Sequence, residues 1–266
     1  MKGDVLLKSA DQIAEIMLKS VLPLIKVEED VLVIHSDIMV LGFNRCPEYA
    51  NGLVLFLQSL LDQGKTVVIP SFTFSFSKEK EFNIETSPFE TGSLAWLAKT
   101  ELGFTRTRNP MFSFCVKGNK AEVFLNTRWD SGYGTDTSVE LLSRKNTCIL
   151  MLGCSWSYCT LIHNVEEKKA VPYREYIKWT YPMDFGDFKI TDQPYTLFVR
   201  KSSPKTETRF ERIREELIDK GLLRESSLNG VPVESANGLS IAQIAGQKLE
   251  VNPYFFVDVF NESVKI

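Results

Sequence analysis

The chain has 266 residues, 44% of them hydrophobic, which is enough for one sizeable core. A net charge of -3 with dispersed lysines and arginines gives no footprint for nucleic acid. The apolar runs are strand-sized, which argues against a membrane span. Five cysteines without a CxxC pair read as reduced thiols of a cytoplasmic protein, and two histidines are poor material for a metal site.

Met1-Lys2-Gly3-Asp4 lacks the pattern of a secretory leader and gives way to an amphipathic helix over 11–22, with Ile13, Ile16, Met17, Val21 and Leu22 on its apolar side. Residues 31–34 are all apolar, as expected of a strand buried on both faces, and run into His35-Ser36-Asp37. A helix over 47–61, ended by Gly64, leads to a second buried strand over 66–69, closed by Pro70. That order predicts a right-handed crossover and parallel pairing. Residues 77–91 read as a polar loop, 92–100 as a short helix, 111–116 as a strand and 119–125 as a helix. A loop rich in Gly, Ser and Thr spans 130–137. A helical turn over 138–142 then feeds the buried strand 148–152. Beyond Glu167 the texture changes: 173–192 is aromatic-rich and broken by Pro182 and Gly186. A strand over 195–199, a charged helix over 207–220, a helix over 239–249 and a strand over 254–259 complete the reading. The fold class is α/β: a central mixed, partly parallel sheet flanked by helices, in a single domain over 1–266.

Open α/β sheets carry ligands beyond the carboxyl ends of their strands. Three polar clusters fall at such places, at 35–37, 71–75 and 154–163. The third reads as a loop followed by a helix with His163 and Glu166 at i and i+3, hence on one face. Histidine is the usual proton carrier near neutral pH, so acid–base chemistry centred on His163 is expected. Glu166 either orients the imidazole, stabilises its cation or holds an ammonium group; otherwise it is a surface residue beside Glu167, Lys168 and Lys169.

Ordered fragments extend this pattern. They are Val33-Ile34-His35-Ser36, Thr66-Val67-Val68-Ile69-Pro70-Ser71-Phe72-Thr73, Gly92-Ser93-Leu94-Ala95 and Arg106-Thr107-Arg108-Asn109-Pro110. Gly132-Tyr133-Gly134-Thr135-Asp136-Thr137-Ser138 and Thr160-Leu161-Ile162-His163-Asn164-Val165-Glu166 follow. In this order they resemble the aminoglycoside 3-N-acetyltransferase family, antibiotic acetyltransferases unrelated to the GNAT fold. The resemblance implies acetyl-CoA as donor, a primary amine of an amino sugar or aminoglycoside as acceptor, direct transfer in a ternary complex, and His163 as general base. It weakens past residue 170, which makes 171–266 a divergent, smaller acceptor-side lobe. Another acyl-CoA, a sugar-nucleotide amine, or a silent CoA-binding protein are the competing readings, and a homodimer is open.

Under the resemblance His35 and Ser36 line the CoA channel. Ser71, Thr73 and Ser113 offer hydroxyls to the pantetheine arm, or serve as turn residues. Arg106 and Arg108 meet the CoA phosphates through guanidinium forks, or are surface arginines. Asp136 binds a cationic acceptor or caps the next helix. Trp156, Tyr158 and Trp179 stack on a sugar or pack the lobe. Cys154 and Cys159 are read as core or loop residues rather than as acyl-enzyme nucleophiles.

Overall fold

The computed structural model describes residues 8–260, so the reading of Met1 to Asp4 lies outside the described residues. Ser9 opens α1 (Ala10–Val21) with a capping box, its Oγ accepting from the Gln12 N–H while the Gln12 side chain accepts from the Ser9 N–H. Then come β1 (Val31–Ser36), α2 (Tyr49–Asp62), β2 (Thr66–Pro70), α3 (Phe76–Glu79), β3 (Phe82–Asn83) and α4 (Ser93–Leu102). They lead to β4 (Thr105–Arg106), β5 (Phe114–Lys117), α5 (Ala121–Leu125), α6 (Ser138–Leu141), β6 (Thr147–Leu152) and α7 (Leu161–Lys168). The remainder is β7 (Arg174–Trp179), β8 (Met183–Asp184), β9 (Lys189–Ile190), β10 (Tyr195–Arg200), β11 (Lys205–Thr208), α8 (Arg212–Asp219), β12 (Arg224–Leu228), β13 (Val231–Asn237), α9 (Gly238–Val251) and β14 (Val257–Phe260).

Seven strands form the central sheet in the order β12-β13-β6-β1-β2-β5-β4. β1 is parallel to β2 and β6, with Val31 opposite Thr66 and His35 opposite Met151, and the outer pairs are antiparallel. This is the expected mixed sheet. Alternation along β1 sends Leu32 and Ile34 into one core with α1, α2 and α4, and Val31 and Val33 into another with α6, α7 and α9. Burial on both faces is why these strands are apolar without interruption. Gly52 lets α2 lie close against α1: a Cβ there would sit 2.6 Å from the Ile13 side chain.

Several boundaries differ from the sequence reading. Residues 77–91 contain most of α3 and all of β3, the latter paired with β8. The strand expected over 111–116 begins at Phe114, because Met111 and Phe112 turn inward before the ladder starts. The charged helix begins at Arg212 and not at residue 207. Lys205–Thr208 instead pairs antiparallel with β14, where Thr206 and Thr208 suit a strand. Residues past 170 do more than build a lobe: β12 and β13 return to the central sheet beside β6, and α9 packs on α7. Among the described residues no helix is long and apolar enough to cross a membrane.

Candidate active site

β1, β2 and β6 run in the same direction, so their carboxyl ends share one edge of the sheet. A cavity of about 520 Å³ opens there, walled by the segments that leave each strand: residues 34–39, then Ile69, Pro70, Phe72 and Phe74, then Cys154 and residues 157–160. The turn into α4, Phe112, Tyr133, Phe210 and His163 complete it. Gly153 makes the exit from β6 possible. Its φ of 71° is left-handed, and a Cβ would sit 2.8 Å from Leu41 Cδ2. Ser155 then caps a short turn over Trp156–Tyr158 that delivers the chain to α7.

His163 projects from the first turn of α7 into this cavity. Its side chain is 21% exposed, whereas Glu166 is wholly buried. Nδ1 lies 3.0 Å from Glu166 Oε2. The same oxygen receives Arg174 Nη2 at 2.9 Å, and the Tyr173 hydroxyl donates to Glu166 Oε1 at 2.6 Å. The imidazole is sandwiched: Tyr133 stacks on it at 4.5 Å and 22°, and Phe210 meets it edge-on at 4.7 Å. Burial opposes ionisation of Glu166, but its hydrogen bond with His163 and the Arg174 charge carry its carboxyl below the usual range. Burial, and then Arg174, pull the His163 pKa down, against the opposing pull of Glu166. A neutral imidazole held at Nδ1 by an ionised carboxylate leaves Nε2 as the nitrogen able to take a proton.

The other histidine, His35, differs. It is 5% exposed in the cavity wall, burial alone lowers its pKa to about 4, and its Nε2 has no hydrogen-bond partner. Burial pushes both the Cys154 and Cys159 thiols up to about 12, which leaves neither as a ready thiolate nucleophile. The cavity also carries two carboxylates, both already engaged. Asp37 accepts from the Met39 N–H, and Glu90 accepts from the N–H groups of Phe74 and Ser75.

Residues 33–250 match the family described as Aminoglycoside 3-N-acetyltransferase. The chain belongs to this family. Aminoglycoside N(3)-acetyltransferase VIII of Streptomyces fradiae is 21% identical over 155 residues, 56% of this chain and 54% of the relative. The match thus spans about half of that curated relative's length. Two solved structures share the fold. The YokD protein from Bacillus subtilis has a TM-score of 0.73 and 16% identity, covering 93% of this chain and 95% of its own. A binary complex of AAC-IIIb with CoASH has a TM-score of 0.73 and 19% identity, covering 92% and 97%.

Set against this family's expected site, the structure sorts the candidate residues into two groups. His35, Ser36, Tyr158 and His163 line the cavity, with Glu166 directly behind His163. Arg106, Ser71, Thr73 and Ser113 do not line it. Arg106 is 3% exposed, and its guanidinium donates to Ser113 Oγ, Ser87 O, Ser71 O and Thr73 Oγ1. This arginine, expected at the CoA phosphates, fastens the strand-end loops from inside; of the hydroxyls expected on pantetheine, Ser71 donates to Ser113 Oγ, and Ser113 and Thr73 donate to the Ser71 and Pro88 carbonyls. Arg108 pairs with Asp187 Oδ2 at 2.5 Å, beside a separate surface hollow. Trp156 is buried, with its indole N–H donating to Glu234 Oε2 at 2.6 Å, so it is an anchor and not a stacking surface. Trp179 stacks against Tyr195 outside the cavity. Asp136 is exposed and outside it too, and the cap of α6 is Thr137, whose Oγ1 accepts from the Glu140 N–H. Sequence reasoning missed Tyr133, Arg174 and Phe210, and took Tyr173 for a stacking or packing aromatic rather than the donor to Glu166. Only Tyr133 lay within a fragment that signalled the family; the others reach His163 or Glu166 through the fold.

Proposed function

We propose that this chain is an acetyl-CoA-dependent N-acetyltransferase that acetylates a primary amine of an amino sugar or aminoglycoside by direct transfer, with His163 as general base. The observation that carries the reading is the Glu166-held Nδ1 of His163 at the wall of a cavity beyond three parallel strands. The chain's residues suit the donor. Ile34, Ile69 and Phe72 give an apolar wall for a pantetheine arm, and the unpartnered His35 Nε2 offers a hydrogen-bonding atom within it. Gly92 and Ser93 bring the amino end of α4, without a side-chain cap, to the same cavity.

When bound, acetyl-CoA supplies the acyl thioester. The protein's part is to free a lone pair on the acceptor nitrogen and hold it in place. An aliphatic ammonium is mostly protonated at neutral pH, and Nε2 of His163 takes its proton. Glu166 stabilises the imidazolium that results, while Tyr133 and Phe210 hold the ring in its plane. Alignment of amine and thioester supplies much of the remaining acceleration. The raised pKa values of Cys154 and Cys159 favour this route over an acyl-enzyme.

The engaged Asp37 and Glu90 carboxylates favour, as a second reading, an acceptor with fewer charges than a polycationic antibiotic, such as a sugar-nucleotide amine of glycan or natural-product synthesis. The five unpaired cysteines support a cytoplasmic setting. The test is thiol release from acetyl-CoA, and from other acyl-CoAs, against a panel of aminoglycosides and amino-sugar nucleotides. Release with one acceptor class, lost in His163→Ala, supports the reading and selects the acceptor. Turnover that survives in His163→Ala overturns the general-base role.

A further inference from the structure

Arg174 is the unexplained part of the His163 environment. Its side chain is 5% exposed, at the start of β7, and Nη1 donates to the Phe198 carbonyl at 3.0 Å. The fastening is costly, because the residue directly across the ladder is Arg200, and like charges opposite one another on a sheet repel. A residue needed only to tie β7 to β10 would not have to be a buried cation. Nη2 shows what the cation meets: Glu166 Oε2 at 2.9 Å and His163 Nδ1 at 3.1 Å.

Proton bookkeeping decides between the two contacts. The Glu166 carboxylate takes Arg174 and His163 on Oε2 and the Tyr173 hydroxyl on Oε1, an arrangement that suits an anion. An anionic oxygen 3.0 Å from Nδ1 requires a proton between them, since two lone pairs would otherwise face each other. Nδ1 therefore donates to Glu166, and Arg174 satisfies Nη2 on the carboxylate. Arg174 then stands beside a ring N–H as a fixed positive charge, which opposes a second proton on the ring. Other ionisable groups near the ring are Glu167 on the same helix, Tyr133 against its face, Tyr173 on Glu166 and Arg200 on β10, with Asp37, Glu90, Cys154, Tyr158, Cys159 and His35 in the cavity wall.

We propose that Arg174 is a positioning residue for the acetyl transfer: by sharing Glu166 Oε2 with His163 it keeps the carboxylate ionised and the imidazole neutral in the Nδ1–H tautomer, with Nε2 open to the amine. The proposal rests on the general-base reading of His163. Its catalytic meaning is that an imidazole must be neutral before it can accept a proton, so the arginine widens the pH range over which the base is ready.

Only two histidines are present in the chain, so ring-labelled protein gives two imidazole signals, and His163→Gln assigns them. The experiment is ring ¹⁵N NMR titration of the donor-free protein for wild type, Arg174→Met, Arg174→Gln and Arg174→Lys, beside the pH profile of kcat/KM for thiol release. Wild type should show the Nδ1–H pattern. Met and Gln should each raise the His163 midpoint by about one pH unit, a tenfold change in the neutral-to-cation ratio, and Lys should keep it low. The acid limb of kcat/KM should move by the same amount, with most activity regained at alkaline pH. Gln keeps a neutral N–H-donating side chain, so it gives a second, polar test of the charge if Met fails to fold. An unmoved midpoint in both neutral variants, an equal shift with Lys, or an Nε2–H pattern in wild type would overturn the proposal. Because the titration needs no turnover, it stands or falls separately from the acetyl-transfer reading.

Discussion

Two buried arginines organise this protein, and they do different work. Arg106 directs its guanidinium at hydroxyls and carbonyls of the loops after β2 and β3 and just before β5, with the rings of Phe82 and Phe89 beside it. Arg174 meets a carboxylate and an imidazole, and that imidazole opens on the cavity. Burial of a charge is common to both and says nothing about function. What separates them is the partner. Neutral acceptors make Arg106 a fastener, whereas titratable partners make Arg174 part of a proton-handling group.

The sharpest test of the difference lies at the cavity. His163→Ala should lower kcat/KM for thiol release about 10²- to 10⁴-fold, the range for a lost general base, with the melting temperature little changed. Glu166→Gln should cost about 10²-fold by loosening the imidazole, and should destabilise the fold by about 3–5 kcal/mol, because Arg174 loses its buried counter-charge. Arg106→Met should show the opposite division. Leaving buried oxygens without donors costs about 1–3 kcal/mol each, so the melting temperature falls. The KM for acetyl-CoA of the protein that remains folded should stay within about twofold, since a phosphate contact would be needed to raise it more. A tenfold rise in that KM with unchanged stability would return Arg106 to the donor site.

Acid separates the same two regions. Glu166 has a folded pKa below its unfolded value, so its contribution is present above the unfolded value and is lost as pH falls through the folded one. His163 acts in the same direction. Its folded pKa lies below the ordinary 6.5, so the unfolded chain binds protons first as pH drops, and stability is lost there. Wild-type stability should therefore decline from near pH 6.5 downward; His163→Gln should remove the share of that decline owed to His163, and the share of His35, whose folded value is about 4, should remain. The Arg106 cluster contains no carboxylate or imidazole and should contribute nothing to it. Chemical denaturation at a series of pH values measures both.

The contrast also explains what could be read in the chain. β1, β2 and β6 were legible because burial on both faces leaves an unbroken apolar run, and His163 with Glu166 was legible because i, i+3 spacing is local. The β12–β13 hairpin was not: Arg224 to Leu228 is an edge strand of mixed polarity, and only the pairing of β13 with β6 makes the hairpin part of the core sheet. Arg174 and Phe210 were invisible for a similar reason, since they come to His163 through β7 and the segment before α8. The burial of Arg106 was not legible either, because its side-chain chemistry suits phosphate and loop carbonyls equally well, and burial is a property of the fold.

The smallest predicted effect concerns Trp156. Its indole is anchored by Glu234, which in turn holds Arg214 Nη2 at 2.6 Å, so the chain before α7 is tied to α8 and β13. Trp156→Phe keeps most of the buried ring and removes one N–H. Glu234 retains its arginine, so the carboxylate is not left bare, and the loss should be about 1 kcal/mol. A residue that stacked on the acceptor would behave differently, because its loss would appear in binding. The expected outcome is a slightly lower melting temperature with acceptor KM within about twofold of wild type, because the lost N–H faces Glu234 and not the cavity. A KM raised tenfold at unchanged stability would mean that the loop opens and exposes Trp156 to the acceptor, and the wall beside His163 would then belong to the substrate as well as to the fold.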